Sequence, residues 1–110
     1  MNKVSLIGNV TRDLELKNYN DGKGTYVRFT LAINSYSGKL KGTSVEFINI
    51  VAFGNKSEVL SKYVTKGRKV AVEGRLSTRS YINAEGEKRY ATEVILSDFY
   101  FVDYKKENVG

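Results

Sequence analysis

Apolar residues recur at every second position through most of this chain, a spacing that lines one face of a β-strand and scatters around a helix. In residues 3–10, Val4, Leu6 and Val10 share a parity, and in residues 26–33 Val27, Phe29, Leu31 and Ile33 do the same. Each stretch predicts a strand with one buried and one solvated face. Residues 45–53 differ, because Val45, Phe47, Ile48, Ile50, Val51, Ala52 and Phe53 occupy both parities. If Ile48, Ile50 and Ala52 enter the core, then Phe47, Val51 and Phe53 share the opposite face unless a bulge changes the register.

Residues 70–81 return to alternation, with Val70, Val72 and Leu76 on one parity and Glu73, Arg75, Ser77, Arg79 and Tyr81 on the other. A core face and a basic, aromatic face are expected. Residues 83–87 read as a hairpin turn, and residues 88–101, rich in Tyr, Thr, Val and Ile, as the last strand. The period changes once. Asn55 with Glu58 three positions on resembles a helix cap, Val59, Leu60, Tyr63 and Val64 follow at helical spacing, and Gly67 is the expected stop. Residues 18–24 and 34–42 are rich in Asn, Asp, Ser and Gly and are read as loops. Three strands, a short helix and two strands are the order of an OB-fold, an all-β, five-stranded Greek-key barrel with one helix between strands 3 and 4. At 110 residues the chain has room for one core. The domain is placed at residues 1–104, with residues 105–110 as a short polar C-terminal end.

The composition narrows the chemistry. The chain has no histidine and no cysteine, which removes the commonest general base, the commonest metal ligands and the best thiol nucleophile. No enzymatic activity, no cofactor and no metal are expected. Glu46, Glu73 and Glu93 lack a nucleophile or metal signature beside them, so strand-face and hydrogen-bonding roles are expected of them. Lys and Arg number 18 against 12 acids, a net charge of +6, which suits a phosphate-rich partner. Eight Tyr and five Phe exceed what one small core usually holds. The N-terminus lacks a signal-peptide h-region and no apolar run approaches a membrane span. A cytoplasmic, nucleoid-associated location is expected, or the host cytoplasm for a phage-encoded member.

Four blocks then resemble bacterial and phage single-stranded-DNA-binding proteins over nearly the whole chain. They are Asn2-Lys3-Val4 with Leu6-Ile7-Gly8 and Thr11-Arg12-Asp13; Phe29-Thr30-Leu31-Ala32; Glu46-Phe47-Ile48-Asn49 through Ala52-Phe53-Gly54; and Lys66-Gly67 through Val72-Glu73-Gly74-Arg75-Leu76 with Thr78-Arg79-Ser80-Tyr81. Tyr90-Ala91-Thr92-Glu93-Val94 adds a last-strand motif. The resemblance implies an OB-fold that wraps single-stranded DNA without sequence preference, usually as a homotetramer, during replication, recombination and repair. It implies base stacking on Tyr36, Phe47, Phe53 and Tyr81. Relatives often carry Trp at two of these positions, whereas this chain has none, so stacking would rest on Phe and Tyr. Relatives also commonly have Pro where Leu14 stands. Many continue into an acidic tip that recruits other proteins; of the form ending at Gly110, no tail-mediated partners are expected.

Arg75, Arg79, Lys88 and Arg89 lie on or beside the strand ending in Tyr81, and Lys39 and Lys41 share a loop with Tyr36, so cations and rings alternate along the expected track. Lys56, Lys62, Lys66 and Lys69 are read as solvated surface charge. Arg28, Arg68 and Lys3 stand open between the two roles. The second reading is an OB-fold adaptor of the primosomal kind that binds mainly proteins, in which the stacking rings would be largely replaced.

Overall fold

The computed structural model describes residues 1–37 and 42–102, and the side chains of all of these except residues 36, 37, 42 and 43. Lys39, Lys41 and the polar end at residues 105–110 lie outside the described residues. The elements follow in the order β1 (Val4–Val10), β2 (Lys17–Tyr19), β3 (Gly24–Ser37), β4 (Gly42–Phe53), α1 (Asn55–Tyr63), β5 (Lys69–Ile82) and β6 (Lys88–Phe101). The sheet runs β1-β5-β6-β4-β3-β2, and a further β1–β3 pairing closes it. The closing pairs are Asn9 with Ala32 and Val10 with Leu31. The expected OB-type ring is therefore present, with β2 added to the free edge of β3.

The alternation does what its period dictates. Val10, Val27, Phe29, Leu31, Ile50, Ala52, Val70, Val72 and Val94 are buried in one cluster, with Leu60 and Val64 closing it from the helix side. Several sequence-based expectations are corrected. Residues 34–37 and 42, assigned to a loop, are strand, because Asn34, Ser35, Tyr36 and Ser37 of β3 pair with Val45, Ser44, Thr43 and Gly42 of β4. Residues 17–19, partly assigned to a loop, form a strand because Lys17, Asn18 and Tyr19 pair with Tyr26, Thr25 and Gly24. The tight turn is confined to residues 20–23, of which Asn20, Asp21 and Gly22 are at positive φ, a conformation that these residue types tolerate best. The helix is capped by Gly54 at φ 70, not by Asn55, so the first turn receives no hydrogen bond from a cap side chain. It ends at Tyr63, with extended Val64 as C-cap, well before Gly67.

Leu76 is a further correction. It was expected in the core and is exposed, because the β5–β6 hairpin outruns the barrel. β1 reaches only to Gly74 of β5 and β4 meets β6 only at Val94 and Ile95, so beyond these points the hairpin pairs with itself alone. A bulge sits at the same place. Glu73 faces Asp98 while Gly74 faces Leu96, leaving Ser97 as an extra residue whose hydroxyl donates to the Glu73 carbonyl at 3.1 Å. The insertion switches the inward parity of β6 from Val94 and Leu96 to Phe99, which packs on the core.

Candidate nucleic-acid interface

Strand registers decide which side chains share the outer face. Tyr26, Arg28, Thr30 and Ala32 of β3 stand opposite Phe53, Val51, Asn49 and Phe47 of β4. Val51 is in turn paired with Ile95 of β6. On the hairpin, Arg75, Ser77, Arg79 and Tyr81 stand opposite Ile95, Glu93, Ala91 and Arg89. Cross-strand partners project to one side of a sheet, so β3, β4, β6 and β5 present a continuous outer surface of rings and cations. Phe47, Phe53 and Tyr81 are 64%, 45% and 43% exposed, a large apolar outlay that the core does not use. Val51 shares the face but is buried and lies outside the core cluster.

The cations are held in place. Glu93, only 11% exposed, stands 3.5 Å from Nε of Arg79 and 3.9 Å from Nη2 of Arg28. The Arg79 guanidinium also lies 5.7 Å from the centre of the Tyr81 ring, and that of Arg28 5.7 Å from Tyr26. One carboxylate thus orients two arginines beside two aromatic rings, within the range of a cation–π contact. Between Phe47 and Phe53, the Thr30 hydroxyl donates to Oδ1 of Asn49 at 3.0 Å. A shallow cleft there is lined by Arg12, Arg28, Thr30 and Asn49. A more apolar groove along α1, lined by Leu16, Val59 and Tyr63 among others, holds none of the sequence-predicted site residues.

The predicted residues divide as follows. Phe47, Phe53, Arg75, Arg79, Tyr81 and Arg89 share the outer face. Lys88 pairs with Ile82 and so projects to the other side of the hairpin, 5.8 Å from the Tyr90 ring. Arg89 is engaged by Glu87 at 2.7 Å, an exposed pair worth about 0–1 kcal/mol. Tyr36 lies in β3 opposite Thr43, and its side chain is outside the description. Sequence reasoning left Arg28 open and passed over Tyr26, although the even parity of residues 26–32 places both on the outer face. Arg68, also left open, lies 4.2 Å from the ring centre of Phe101. Tyr19 could not be found from the sequence without knowing that β2 exists. Among the described residues no cluster of three His, Cys, Asp or Glu could hold a metal ion, and no helix is long and apolar enough to cross a membrane.

A closed OB barrel with exposed rings and oriented arginines on one outer face is a platform for unstacked, phosphate-bearing strands. Comparison with known proteins agrees. The model of the single-strand binding protein family matches residues 1–102, and the chain belongs to that family. It is 45% identical over 104 residues to the single-stranded DNA-binding protein of Clostridium perfringens, covering 94% of this chain and 67% of that one. It is 44% identical over 109 residues to that of Onion yellows phytoplasma, covering 97% of this chain and 99% of its relative. The solved Plasmodium falciparum SSB complex with ssDNA matches with a TM-score of 0.84 at 32% identity, over 94% of this chain and 96% of that one.

Proposed function

We propose that the protein binds single-stranded DNA without base preference and protects it during replication, recombination and repair, by binding and not by catalysis. Bases stack on Phe47, Phe53, Tyr81 and Tyr36; phosphates follow Arg75, Arg79 and Arg89, and Lys88, Lys39 and Lys41 add positive charge that attracts the strand. The observation that carries this reading is the continuous outer face on which exposed rings alternate with arginines aligned by Glu93. Rings supply about 1–3 kcal/mol per stacked base, and phosphate neutralisation supplies the salt-dependent remainder. The match to the single-strand binding protein family and to relatives named single-stranded DNA-binding protein favours this reading over a mainly protein-binding adaptor. Fluorescence-anisotropy titration with poly-dT against duplex DNA tests the proposal, and equal or absent binding of the two overturns it.

Arg79 separates the electrostatic part. Arg79→Ala is expected to make the slope of log K against log salt shallower by about 0.7, the single-strand value per lost phosphate contact, with a similar loss for dT, dA and dC oligomers. A loss that varies with base at unchanged slope would assign Arg79 to a base instead.

Self-association, with a tetramer as the expected state, belongs to the same proposal. Exposed Ile7 of β1 and Tyr100 of β6 flank half-buried Ala71 of β5 in one row on the barrel's other outer side. Beside them the Tyr100 hydroxyl offers its single proton to two carboxylates, Asp98 at 3.2 Å and Glu73 at 3.3 Å. The Asp98 hydrogen bond foremost, then the charges of Asp98 and Glu73, raises its pKa. Sedimentation equilibrium at micromolar protein should give a multiple of the 12.4 kDa chain mass; a monomer alone overturns this part.

A further inference from the structure

We propose that Tyr19 is a base-stacking residue that extends the single-strand track past Phe53 to the β2–β3 turn; this rests on the single-strand reading above. The register places it there: Tyr19 pairs with Gly24 and Lys17 with Tyr26, while Tyr26 pairs with Phe53, so Lys17, Tyr19, Tyr26 and Phe53 share one face. The three rings form a cluster. Tyr19 lies 6.0 Å from Tyr26 at 56° and 6.0 Å from Phe53 at 85°, and Tyr26 lies 6.3 Å from Phe53 at 40°, within the range of favourable tilted and edge-on aromatic pairs.

Gly24 supplies the floor. A Cβ there would collide with Cζ, Cε1 and the hydroxyl of Tyr19, so the ring lies across the bare backbone of β3 in space that only glycine leaves open. Yet the ring is not buried: Tyr19 remains 43% exposed. A ring fixed from below and from two sides but open above loses little side-chain freedom when a flat partner settles on it, which is the preorganisation that favours binding. The surroundings suit a nucleotide. The Arg28 guanidinium stands over Tyr26 and Lys17 joins the same face, offering charge to the phosphates that flank a stacked base. The turn beyond is fixed by the left-handed residues Asn20, Asp21 and Gly22 and by Lys23 N–H donating to the Asn20 carbonyl at 3.1 Å.

The competing role is structural, an aromatic ring covering a strand glycine to steady the hairpin. Leucine also covers a glycine but has no π face, so Tyr19→Leu separates the two. In the full chain, Tyr19→Leu is expected to keep the parent's circular dichroism and melting temperature and to bind dT oligomers about five- to a hundredfold more weakly, while Tyr19→Phe binds like the parent. Tyr19→Trp places the sole indole in a chain that has no Trp, and its emission should be quenched as dT oligomers saturate the protein. Parent-like affinity of folded Tyr19→Leu, or unchanged indole emission at saturation, overturns the proposal. Should Tyr19→Leu fail to fold, the Tyr19→Trp emission decides alone. If Phe47→Ala weakens binding while Tyr19→Leu does not, only this extension fails; if the parent does not bind poly-dT, the single-strand reading falls with it.

Discussion

Replacing Phe47 and Tyr81 together by alanine is expected to weaken binding of dT oligomers by about 2–6 kcal/mol while leaving the slope of log K against log salt unchanged. A ring contributes stacking and releases no counterions, so affinity and salt dependence separate. The two rings sit on different elements, Phe47 on β4 and Tyr81 on the part of β5 that leaves the barrel, so their effects should nearly add. Both are largely exposed, and neither belongs to the core cluster, so the melting temperature should stay close to the parent's. Anisotropy titrations at several salt concentrations, after a thermal melt of each variant, measure all three quantities. A folded double variant that binds like the parent would place these rings in a subunit contact and remove the stacking platform.

How far the sequence was legible depended on the physics at each position. Period two located β1, β3 and β5, because a strand with one buried face must alternate, whereas β4 was marked by apolar residues on both parities and β6 by its Tyr, Thr, Val and Ile content. Parity placed Phe47 with Phe53 on one face of β4 and Arg79 with Tyr81 on one face of β5, and only the strand registers make the two faces continuous. Where the constraint was weaker, the reading was less complete. β2 buries none of its own residues, so no hydrophobic pattern marks it; its register is held by pairing with β3 and by the ring of Tyr19 over Gly24. Leu76 kept the core parity of its strand but lies where the barrel has ended, and parity carries no information about where neighbouring strands stop. The bulge at Ser97 was silent for a related reason, since it resets an alternation that both halves of β6 satisfy separately. Lys88 and Arg89, adjacent in sequence, were read as one basic pair, whereas a strand sends them to opposite sides.

Leu60→Ala is expected to lower stability by about 2–5 kcal/mol, the usual cost of emptying a fully buried leucine site. For a single domain of this size, with total stability of about 5–15 kcal/mol, the melting temperature should fall by roughly 10 °C or more. Leu60 is 0% exposed and with Val64 joins the helix side to the strand cluster, beneath the strands that carry Phe47 and Phe53 on their other face. Val59 tests the helix phase. The sequence pattern grouped Val59 and Tyr63 with Leu60 and Val64, but the structure leaves the first two exposed, because α1 spans only Asn55–Tyr63 and only the side holding Ser57 and Leu60 meets the barrel. Val59→Ala should therefore change stability by no more than about 0.5 kcal/mol. Ser57 reinforces that side: its buried hydroxyl donates to the Gly54 carbonyl at 2.6 Å and lies 3.0 Å from the Thr25 hydroxyl. Both variants should be compared by thermal denaturation at one fixed protein concentration, since subunit association would itself shift the midpoint. Below its melting temperature Leu60→Ala should still bind dT oligomers nearly as tightly as the parent, the inverse of the result for Phe47 and Tyr81. Equal melting temperatures for Leu60→Ala and Val59→Ala would mean that α1 is not what closes the core.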